Sequence, residues 1–431
     1  MRLLIIGAGP GGYETAVEAA KRGMEVTLIT EGPLGGTCLN EGCIPTKTFC
    51  HYAELIEQNL KAGLDCKPSF AAVSERKQTV IEQLRGGIDM LLKNVEVVQG
   101  RAQFKDSKTV VCNGIDYIAD KIIIATGSVS ASLPVPGAEN CITSKEILEL
   151  TEVPESLCVI GGGVIGLEFA SIFRSFGSEV TVLEFCPNIL PRFDSDLAKR
   201  LKQSLSRRGI NIEVQAQVTR IDGGTVTYIK KEKECTAQAD KILMAVGRRP
   251  NTEGLNLEAA GIDYTRKGIT VNNRFETSVP GIYAVGDVTG GIMLAHAATY
   301  QGLHALNCIC GQEDSIRFDL IPAAVFTMPE VATVGLTEEQ CKEQNLEVRC
   351  LKSFYRANGK AVSMDETDGY CKVIVDSGGK ILGAHLMGAH ASDLIHEITT
   401  AINLGASLDQ LQSMIHAHPT LSEVLQSALH Q

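Results

Sequence analysis

Two cysteines, Cys38 and Cys43, stand five positions apart in the segment GGTCLNEGCIPTK, which runs from Gly35 to Lys47. The segment follows a predicted strand and leads into a predicted helix. Two thiols at this spacing can close a small disulfide ring, and a helix N-terminus favours the thiolate when the ring opens. The pattern therefore favours a redox-active dithiol. The alternatives are two buried thiols, half of a zinc site or an inert staple.

A glycine-rich turn near the N-terminus predicts a dinucleotide site close to the dithiol. Gly7, Gly9 and Gly12 lie between a predicted strand and an amphipathic helix. They allow a tight turn, close approach to a pyrophosphate and close helix–strand contact. The alternative is a turn that only connects two elements. Thr30 occupies the expected place of the ribose-binding acid, so either Glu31 makes this contact or the site relies on other contacts.

The same layout occurs a second time. Gly161, Gly163 and Gly166 follow a second apolar strand, and Glu184 ends the strand after the helix. Two such strand–helix–strand units indicate two dinucleotide-binding domains. A carboxylate at Glu184 would accept hydrogen bonds from a ribose 2′-hydroxyl and repel a 2′-phosphate, so the prediction is NAD and not NADP. The alternative is that Glu184 only ends a strand on the surface.

Two further pairs could do acid–base chemistry. His418 and Glu423 lie five positions apart with Pro419 between them, so a turn can bring the carboxylate to the imidazole. Taken alone, such a histidine is more often structural. Lys47 and Glu168 each lie a few residues into a helix behind a glycine turn, and the sequence does not show whether they meet.

Composition bounds the class of protein. The 431 residues are 44% hydrophobic and 21% charged, which fits a globular protein of two or three domains. The net charge of −11 argues against nucleic acid or a membrane surface as a partner. The fourteen cysteines lie mostly in apolar runs without a preceding secretory signal, so we expect a reducing cytoplasm. Cys308 and Cys310 could be half of a metal site, but no matching pair is near in the sequence, and no metal is predicted.

The rest of the chain predicts the elements around these motifs. One or two long helices are expected between Ala53 and Leu92, followed by short β segments. From about Ser315 the pattern indicates an antiparallel sheet with helices on one side. A last helix is predicted in SLDQLQSMI, ahead of HAHPTLSEVL.

Taken together, these motifs resemble the pyridine nucleotide–disulfide oxidoreductases that use FAD, most closely the branch that oxidises dihydrolipoamide. The resemblance covers nearly the whole chain, with its motifs in family order. They are GAGPGG, GGTCLNEGCIPTK, ATGS, GGGVIGLEFA, VGRRPNT, YAVGDV, MLAHAA, IPAAVFTMPEVATVGLT and HAHPTLSE.

The resemblance implies an α/β fold with two Rossmann-like dinucleotide-binding domains and a C-terminal α+β dimerisation domain. The implied boundaries are 1–144 for FAD, 145–248 for NAD, 249–314 for a central domain that completes the FAD site, and 315–431 for dimerisation. Residues implied to bind the two cofactors are Gly7, Gly9, Gly12, Glu31, Gly36, Thr37, Lys47, Thr126, Gly127, Gly161, Gly163, Gly166, Glu184, Gly247, Gly286, Asp287, Met293, Leu294, Ala295 and His296.

The resemblance also implies the catalytic roles. Cys38 would exchange disulfides with the substrate and Cys43 would pass electrons to FAD. Lys47, paired with Glu168, would sit beside the flavin. His418, held by Glu423, would act as acid and base on the disulfide of the other subunit.

The implied activity is oxidation of dihydrolipoamide, or of a lipoylated carrier protein, with reduction of NAD⁺. The implied assembly is a homodimer, in a 2-oxo acid dehydrogenase or glycine cleavage system. The alternatives are a related reductase acting on glutathione, disfavoured by Glu184, and a flavin-binding protein without catalysis.

Overall fold

The computed structural model describes residues 1–66 and 68–431, and the chain forms two compact units. Each unit is assembled from three segments that are separated in the sequence. The first unit contains Met1–Thr48, Ala72–Ala131 and Gly247–Ile316. The second unit contains Phe49–Ala71, Ser132–Val246 and Arg317–Gln431.

The strands are mostly short, as expected from the many glycine turns. In chain order they are β1 (Arg2–Ile6), β2 (Glu25–Thr30), β3 (Glu96–Gln99), β4 (Gln103–Phe104), β5 (Thr109–Cys112), β6 (Ile115–Ile118), β7 (Lys121–Ile124), β8 (Ser128–Ser130), β9 (Ser156–Ile160), β10 (Glu179–Glu184), β11 (Ile210–Val214), β12 (Gln217–Asp222), β13 (Thr225–Lys230), β14 (Lys233–Gln238), β15 (Lys241–Met244), β16 (Arg248–Pro250), β17 (Tyr264–Thr265), β18 (Gly268–Ile269), β19 (Ile282–Ala284), β20 (Ala323–Val325), β21 (Val331–Gly335), β22 (Val348–Phe354), β23 (Tyr370–Asp376) and β24 (Ile381–Met387).

The helices vary from single turns to 22 residues. In chain order they are α1 (Pro10–Lys21), α2 (Gly36–Asn40), α3 (Cys43–Lys61), α4 (Phe70–Leu91), α5 (Val164–Phe176), α6 (Ser195–Arg207), α7 (Leu257–Ala260), α8 (Ala295–Ile309), α9 (Glu338–Glu343), α10 (Gly359–Ser363), α11 (Ala391–Leu404), α12 (Leu408–Gln412) and α13 (Glu423–Leu429). Short 3₁₀ turns lie at Ala138–Asn140, Glu146–Glu149, Gly286–Thr289 and Tyr355–Ala357.

The first unit is built on a parallel sheet with strand order β19-β7-β1-β2-β3. The central strands β1, β7 and β19 are largely apolar because both faces of the sheet are covered, whereas the edge strand β3 is mostly exposed. Leu3 and Ile5 of β1 belong to a core with α1 and α8, whereas Leu4 and Ile6 belong to a core on the opposite face. Alternate side chains of β1 therefore pack into cores on opposite faces of the sheet. The carboxyl end of β1 leads directly into the first glycine turn.

The second unit contains a parallel sheet and a separate antiparallel sheet. The parallel sheet has strand order β11-β10-β9-β15, and α5 is buried along most of its length. The antiparallel sheet has strand order β20-β21-β24-β23-β22. On one of its faces Val373 and Leu386 share a core with α11 and α13. The other face carries two buried polar side chains, Lys372 and His385.

The α/β fold class expected from the sequence is confirmed, including the C-terminal α+β region. The helical region expected between Ala53 and Leu92 is present as α3 and α4, although α3 already begins at Cys43. The SLDQLQSMI segment forms α12, but it is not the last helix. The chain continues into α13, whose four apolar residues complete the C-terminal core.

Lys372 is a fully buried lysine whose charge is balanced by two carboxylates. Its ammonium lies 2.8 Å from Asp194 and 2.9 Å from Glu338. Replacing Lys372 by methionine keeps the volume but leaves buried Asp194 without a cation. We expect the free energy of unfolding to fall by about 3–5 kcal/mol in urea titrations. Lys342→Met is the matched control, because Lys342 contacts Glu338 from solvent and should cost less than about 1 kcal/mol. Equal losses in the two variants would contradict this account.

Glu338 makes part of this stability dependent on pH. Hydrogen bonds from Lys342 and Lys372 lower the pKa of its carboxyl to about 2. The unfolded value is about 4.3, so the stabilisation is present above that pH and is lost as pH falls towards 2. We expect Glu338→Gln to flatten the decline of the unfolding midpoint between about pH 5 and pH 3. Glu343→Gln, an exposed change on the same helix, should keep the slope of the unaltered protein.

Candidate active site

The first glycine turn has the shape that a pyrophosphate requires. Gly7 adopts φ +106°, and a Cβ there would lie 2.3 Å from the carbonyl oxygen of Ala125. A Cβ on Gly12 would lie 1.8 Å from the carbonyl oxygen of Gly7, so α1 can pack against β1 only through glycine. Gly9, the N-cap of α1, has open space beside it. The turn therefore presents a helix N-terminus to a free volume.

The second glycine turn repeats this geometry in the second unit. Gly161 adopts φ +114°, and its Cβ would lie 2.3 Å from the carbonyl oxygen of Ala245. A Cβ on Gly166 would lie 2.0 Å from the carbonyl oxygen of Gly161. Gly163, the N-cap of α5, again has open space beside it. Each compact unit thus contains one turn that fits a dinucleotide.

The two turns differ in the acid that follows. Glu184 is the last residue of β10 and is only 7% exposed. Its two carboxylate oxygens accept hydrogen bonds of 2.6 Å from the backbone N–H groups of Gly162 and Cys186. In the first unit, Thr30 ends β2 with a hydroxyl that donates to Gly32 O at 3.0 Å, and Glu31 beyond it is exposed. Glu184 is therefore held over its turn, whereas the ribose role of Glu31 stays a prediction.

Glu184→Ala should raise the KM for NAD⁺ by about tenfold or more with a smaller change in kcat. The variant would remove the carboxylate hydrogen bond that the sequence predicts to the ribose, and such a bond is typically worth about 1.5–3 kcal/mol. Steady-state kinetics with NAD⁺ as the varied substrate measure this effect. Glu179→Ala, an exposed change at the other end of β10, is the control and should leave the KM unchanged. An unchanged KM in Glu184→Ala would contradict the ribose role.

The segment that carries the two cysteines, residues 35–47, contacts the first glycine turn directly. Gly35 donates its N–H to Ala8 O at 2.9 Å. Gly36, at the start of α2, adopts φ +57°, and a Cβ there would lie 2.7 Å from the Cα of Gly9. The backbone of α2 therefore packs directly on the backbone of the glycine turn. Helix α2 begins beside the open space at Gly9. Thr37 follows on α2 and is exposed.

Cys38 and Cys43 are brought together by α2 and the start of α3. Their side chains are in hydrogen-bonding contact, and this contact together with burial raises the pKa of the Cys38 thiol. Lys47, one turn into α3, acts in the opposite direction on the same thiol. Cys43 is exposed, whereas Cys38 is partly buried. Two thiols in contact beside a lysine form a dithiol suited to thiol–disulfide exchange.

Asn40, between the two cysteines, holds this arrangement in place and was not predicted as a site residue. Its amide donates to Leu34 O at 2.9 Å and to Gly36 O at 2.8 Å. Its side-chain oxygen accepts from the Arg85 guanidinium at 2.6 Å. These hydrogen bonds of Asn40 hold both ends of α2 in place, and α2 carries Cys38. The signal was available, since an asparagine in a tight turn commonly bonds to nearby backbone.

A second unpredicted group is Arg248, which links two motifs of the first unit. Its Nε donates to Ser128 Oγ at 2.7 Å, and Ser128 Oγ donates to Asp287 at 2.5 Å. Burial lowers the pKa of Arg248, whereas the charges of Asp287, Glu41 and Cys43 raise it. The ATGS, VGRRPNT and YAVGDV motifs therefore meet near Cys43.

The other residues predicted to bind FAD lie in the same unit. Thr126 Oγ1 donates to Asn251 O at 2.7 Å, and Gly127 O accepts from Asn251 N–H at 3.0 Å. Gly286 N–H donates to buried Gln301 at 2.7 Å. The remaining predicted residues are at turns or at the start of α8, namely Gly247, Met293, Leu294, Ala295 and His296. Their contacts with a cofactor stay predictions.

The acid–base pair predicted near the C-terminus is present in the second unit. His418 Nδ1 lies 2.9 Å from Glu423 Oε1, and Glu423 Oε2 accepts from Thr420 N–H at 2.8 Å. Hydrogen bonds from Thr420 and His418 lower the pKa of Glu423. His418 itself is exposed, with 78% of its side chain accessible. A carboxylate can only accept, so Nδ1 carries the proton and Nε2 is the basic nitrogen that faces solvent.

Glu168 is buried in the second turn of α5 and accepts a hydrogen bond from Phe326 N–H at 2.9 Å. It belongs to the second unit, whereas Lys47 belongs to the first. The predicted pairing of these two residues therefore stays a prediction.

These features define a dinucleotide-dependent disulfide oxidoreductase, and comparison with known proteins gives the family. Residues 1–302 match the pyridine nucleotide-disulphide oxidoreductase family, and residues 321–429 match the dimerisation domain of the same family. The chain belongs to this family. Its cofactors are accordingly FAD and NAD, which fits the two open glycine turns.

Particular relatives cover the whole chain. A dihydrolipoyl dehydrogenase of Geobacillus stearothermophilus is 41% identical over 99% of this chain and 94% of its own length. A dihydrolipoyl dehydrogenase of Bacillus subtilis is 38% identical over 100% of this chain and 98% of its own. Among solved structures, the HOCl-induced flavoprotein disulfide reductase RclA from Escherichia coli is 32% identical with a TM-score of 0.91, covering 100% of this chain and 99% of its own. LpdA from Mycobacterium tuberculosis is 29% identical with a TM-score of 0.90, covering 100% of this chain and 99% of its own.

Within residues 1–66 and 68–431, none of the helices has the length and apolar character needed to cross a bilayer.

Proposed function

We propose that this chain is an enzyme that oxidises a dihydrolipoyl group to its disulfide and reduces NAD⁺ to NADH, with FAD between the two. The observation that carries the proposal is the Cys38–Cys43 contact seated by Gly35 and Gly36 on the first glycine turn. Relatives named dihydrolipoyl dehydrogenase over the whole chain support this choice of substrate.

Proton transfer is assigned to His418. Its Nδ1–H is held by Glu423, so Nε2 is free to take a proton from a substrate thiol. The lowered pKa of Glu423 keeps that partner ionised at neutral pH, which stabilises the imidazolium formed in this step. His418 of the partner subunit would serve the dithiol of each protomer, so the homodimer would be the active form. The match of residues 321–429 to the dimerisation domain supports this assembly.

Disulfide exchange is assigned to the two cysteines. The substrate thiolate attacks the sulfur of Cys38, which forms a mixed disulfide and breaks the Cys38–Cys43 bond. The second substrate thiol then displaces Cys38, so the substrate leaves as a disulfide and both cysteines are reduced. Cys43 is assigned to the FAD side because it lies near Arg248, which is linked through Ser128 to Asp287, a residue predicted to contact FAD.

FAD supplies the step between a dithiol and a hydride acceptor, which protein side chains alone cannot perform. Lys47 is proposed to lie beside it, paired with Glu168. We assign residues 1–144 to an FAD-binding domain and residues 145–248 to an NAD-binding domain. Residues 249–314 would complete the FAD site, and residues 315–431 would form the dimerisation domain. We place the enzyme in the cytoplasm, serving the lipoylated carrier of a 2-oxo acid dehydrogenase or glycine cleavage system.

Steady-state turnover tests the proposed substrates. The FAD-loaded protein is assayed with dihydrolipoamide plus NAD⁺, and in parallel with oxidised glutathione plus NADPH. We expect the first pair to turn over at least about 100-fold faster in kcat/KM, because Glu184 disfavours a 2′-phosphate. The reverse preference would indicate a glutathione reductase, and turnover of neither pair would indicate a flavin-binding protein without this activity.

A further inference from the structure

Near the C-terminal end of α8, the thiol of Cys308 lies beside a histidine. His304 and Cys308 are one helical turn apart, and Cys308 Sγ lies 3.7 Å from His304 Nε2. On the other side of the ring, His304 Nδ1 lies 3.0 and 2.9 Å from the two carboxylate oxygens of Asp314. A thiol, an imidazole and a carboxylate thus form a continuous chain, which is the arrangement that activates a cysteine nucleophile.

The imidazole in this chain has a fixed orientation. Asp314 can only accept, so Nδ1 carries the proton and the lone pair of Nε2 faces the thiol. Partial burial raises the pKa of Asp314, but hydrogen bonds from Asn307 and His304 outweigh it and keep this pKa below its ordinary value. The ring of Phe275 meets the imidazole edge-on, with centroids 5.9 Å apart. His304 is therefore a positioned base and not a freely rotating surface histidine.

Positive charge also faces the thiol. The guanidinium of Arg274 donates to Cys308 O at 3.3 Å, and its hydrogen bond with the Cys308 side chain raises the pKa of Arg274. The other titratable groups near this pair are Tyr283 and Glu276.

The arrangement does not fit a metal site. Cys308 and Asp314 contact opposite nitrogens of His304, so the three side chains do not converge on one point. Across the part of the chain that the structure describes, no group of three or more metal-binding side chains is found.

This thiol is also separate from the proposed redox centre. Cys308 lies 13 positions after Ala295, the first residue of α8. At 1.5 Å per residue, the two ends are about 20 Å apart along the helix axis. The predicted FAD contacts are at the beginning of α8, so Cys308 is remote from them.

We propose that Cys308 is a second reactive thiol that forms a mixed disulfide with low-molecular-weight disulfides, with His304 as its base. His304 takes the proton of Cys308, and the thiolate attacks one sulfur of the small disulfide. A bond forms between Cys308 and that sulfur, the original sulfur–sulfur bond breaks, and the leaving thiolate takes the proton back from His304. The products are the modified protein and one small thiol.

The test measures the rate of modification by oxidised glutathione at each cysteine. The FAD-loaded protein is used with Cys38 and Cys43 paired as a disulfide, and modified peptides are quantified by mass spectrometry over time at pH 7. We expect Cys308 to react at least about tenfold faster than Cys66, although Cys66 is the more exposed thiol. His304→Gln should bring the Cys308 rate down to that of Cys66, and Asp314→Asn should lower it partly.

Two controls keep the result interpretable. His430→Gln removes a histidine elsewhere and should leave the Cys308 rate unchanged. Dihydrolipoamide turnover should also be unchanged in His304→Gln, which shows that the variant is folded. A Cys308 rate no higher than that of Cys66, or a rate that His304→Gln leaves intact, would overturn the proposal. Either result would leave the proposed function untouched, since that depends on Cys38 and Cys43.

Discussion

Replacing either Cys38 or Cys43 by serine is expected to lower dihydrolipoamide oxidation by about 10⁴-fold or more, the scale of loss seen when a covalent nucleophile is removed. Each serine leaves one thiol, which cannot form the intramolecular disulfide that accepts the substrate electrons. Seating of α2 on the glycine turn does not depend on either sulfur, because the Gly35 N–H bonds to Ala8 O and the Asn40 amide bonds to Leu34 O and Gly36 O. FAD content should therefore remain close to that of the unaltered protein.

The control for these variants is Cys66→Ser, an exposed cysteine between α3 and α4, which should keep turnover within about twofold. The measurement is kcat for NADH formation from dihydrolipoamide and NAD⁺, normalised to bound FAD. Turnover above about one hundredth of the original in Cys38→Ser or Cys43→Ser would contradict the account, because an enzyme without the disulfide has no acceptor for the substrate electrons.

Replacing His418 by glutamine is expected to lower dihydrolipoamide oxidation by about 10²–10⁴-fold, the usual contribution of a general base. Glutamine can keep a hydrogen bond to Glu423 but has no basic nitrogen to take the thiol proton. Reduction of FAD by NADH, followed in a stopped-flow spectrometer, should be largely retained because that half-reaction does not use His418. The two half-reactions should thus separate in one variant.

His430→Gln is the matched control for this second prediction. His430 is also exposed near the C-terminus, and its Nδ1 lies 3.0 Å from the Gln426 backbone oxygen. It should leave both half-reactions unchanged. If His418→Gln kept its rate of dihydrolipoamide oxidation, the base would have to be another group. If it lost both half-reactions equally, His418 would have a structural role instead.

Local patterns were predicted well because their geometry depends on nearby residues. The two glycine turns follow from spacing alone, since a Cβ at Gly12 or Gly166 would collide with the backbone of its own turn. The His418–Glu423 contact likewise spans five positions and needs only a turn. The helix α13 was missed because a segment of seven residues gives a weak periodic signal, and its burial comes from a sheet formed earlier in the chain.

Contacts between distant segments could not be predicted from one sequence. Lys372 lies in the apolar run YCKVIVD, and only the folded second unit shows that Asp194 and Glu338 balance its charge. Arg248, Ser128 and Asp287 stood in three separate motifs, and their hydrogen-bonded chain depends on the register of β16 with β8. Such pairings are set by tertiary structure, which single-sequence patterns do not encode.

The most direct measurement is an anaerobic titration of the oxidised, FAD-loaded protein with dihydrolipoamide in the absence of NAD⁺. Free thiols are counted by alkylation and the absorption spectrum is followed at the same time. We expect one equivalent to convert Cys38 and Cys43 to alkylatable thiols and to produce a long-wavelength absorption band from the Cys43 thiolate beside FAD. An unchanged thiol count, or opening of the disulfide without that band, would contradict the claim that these two sulfur atoms carry electrons from substrate to flavin.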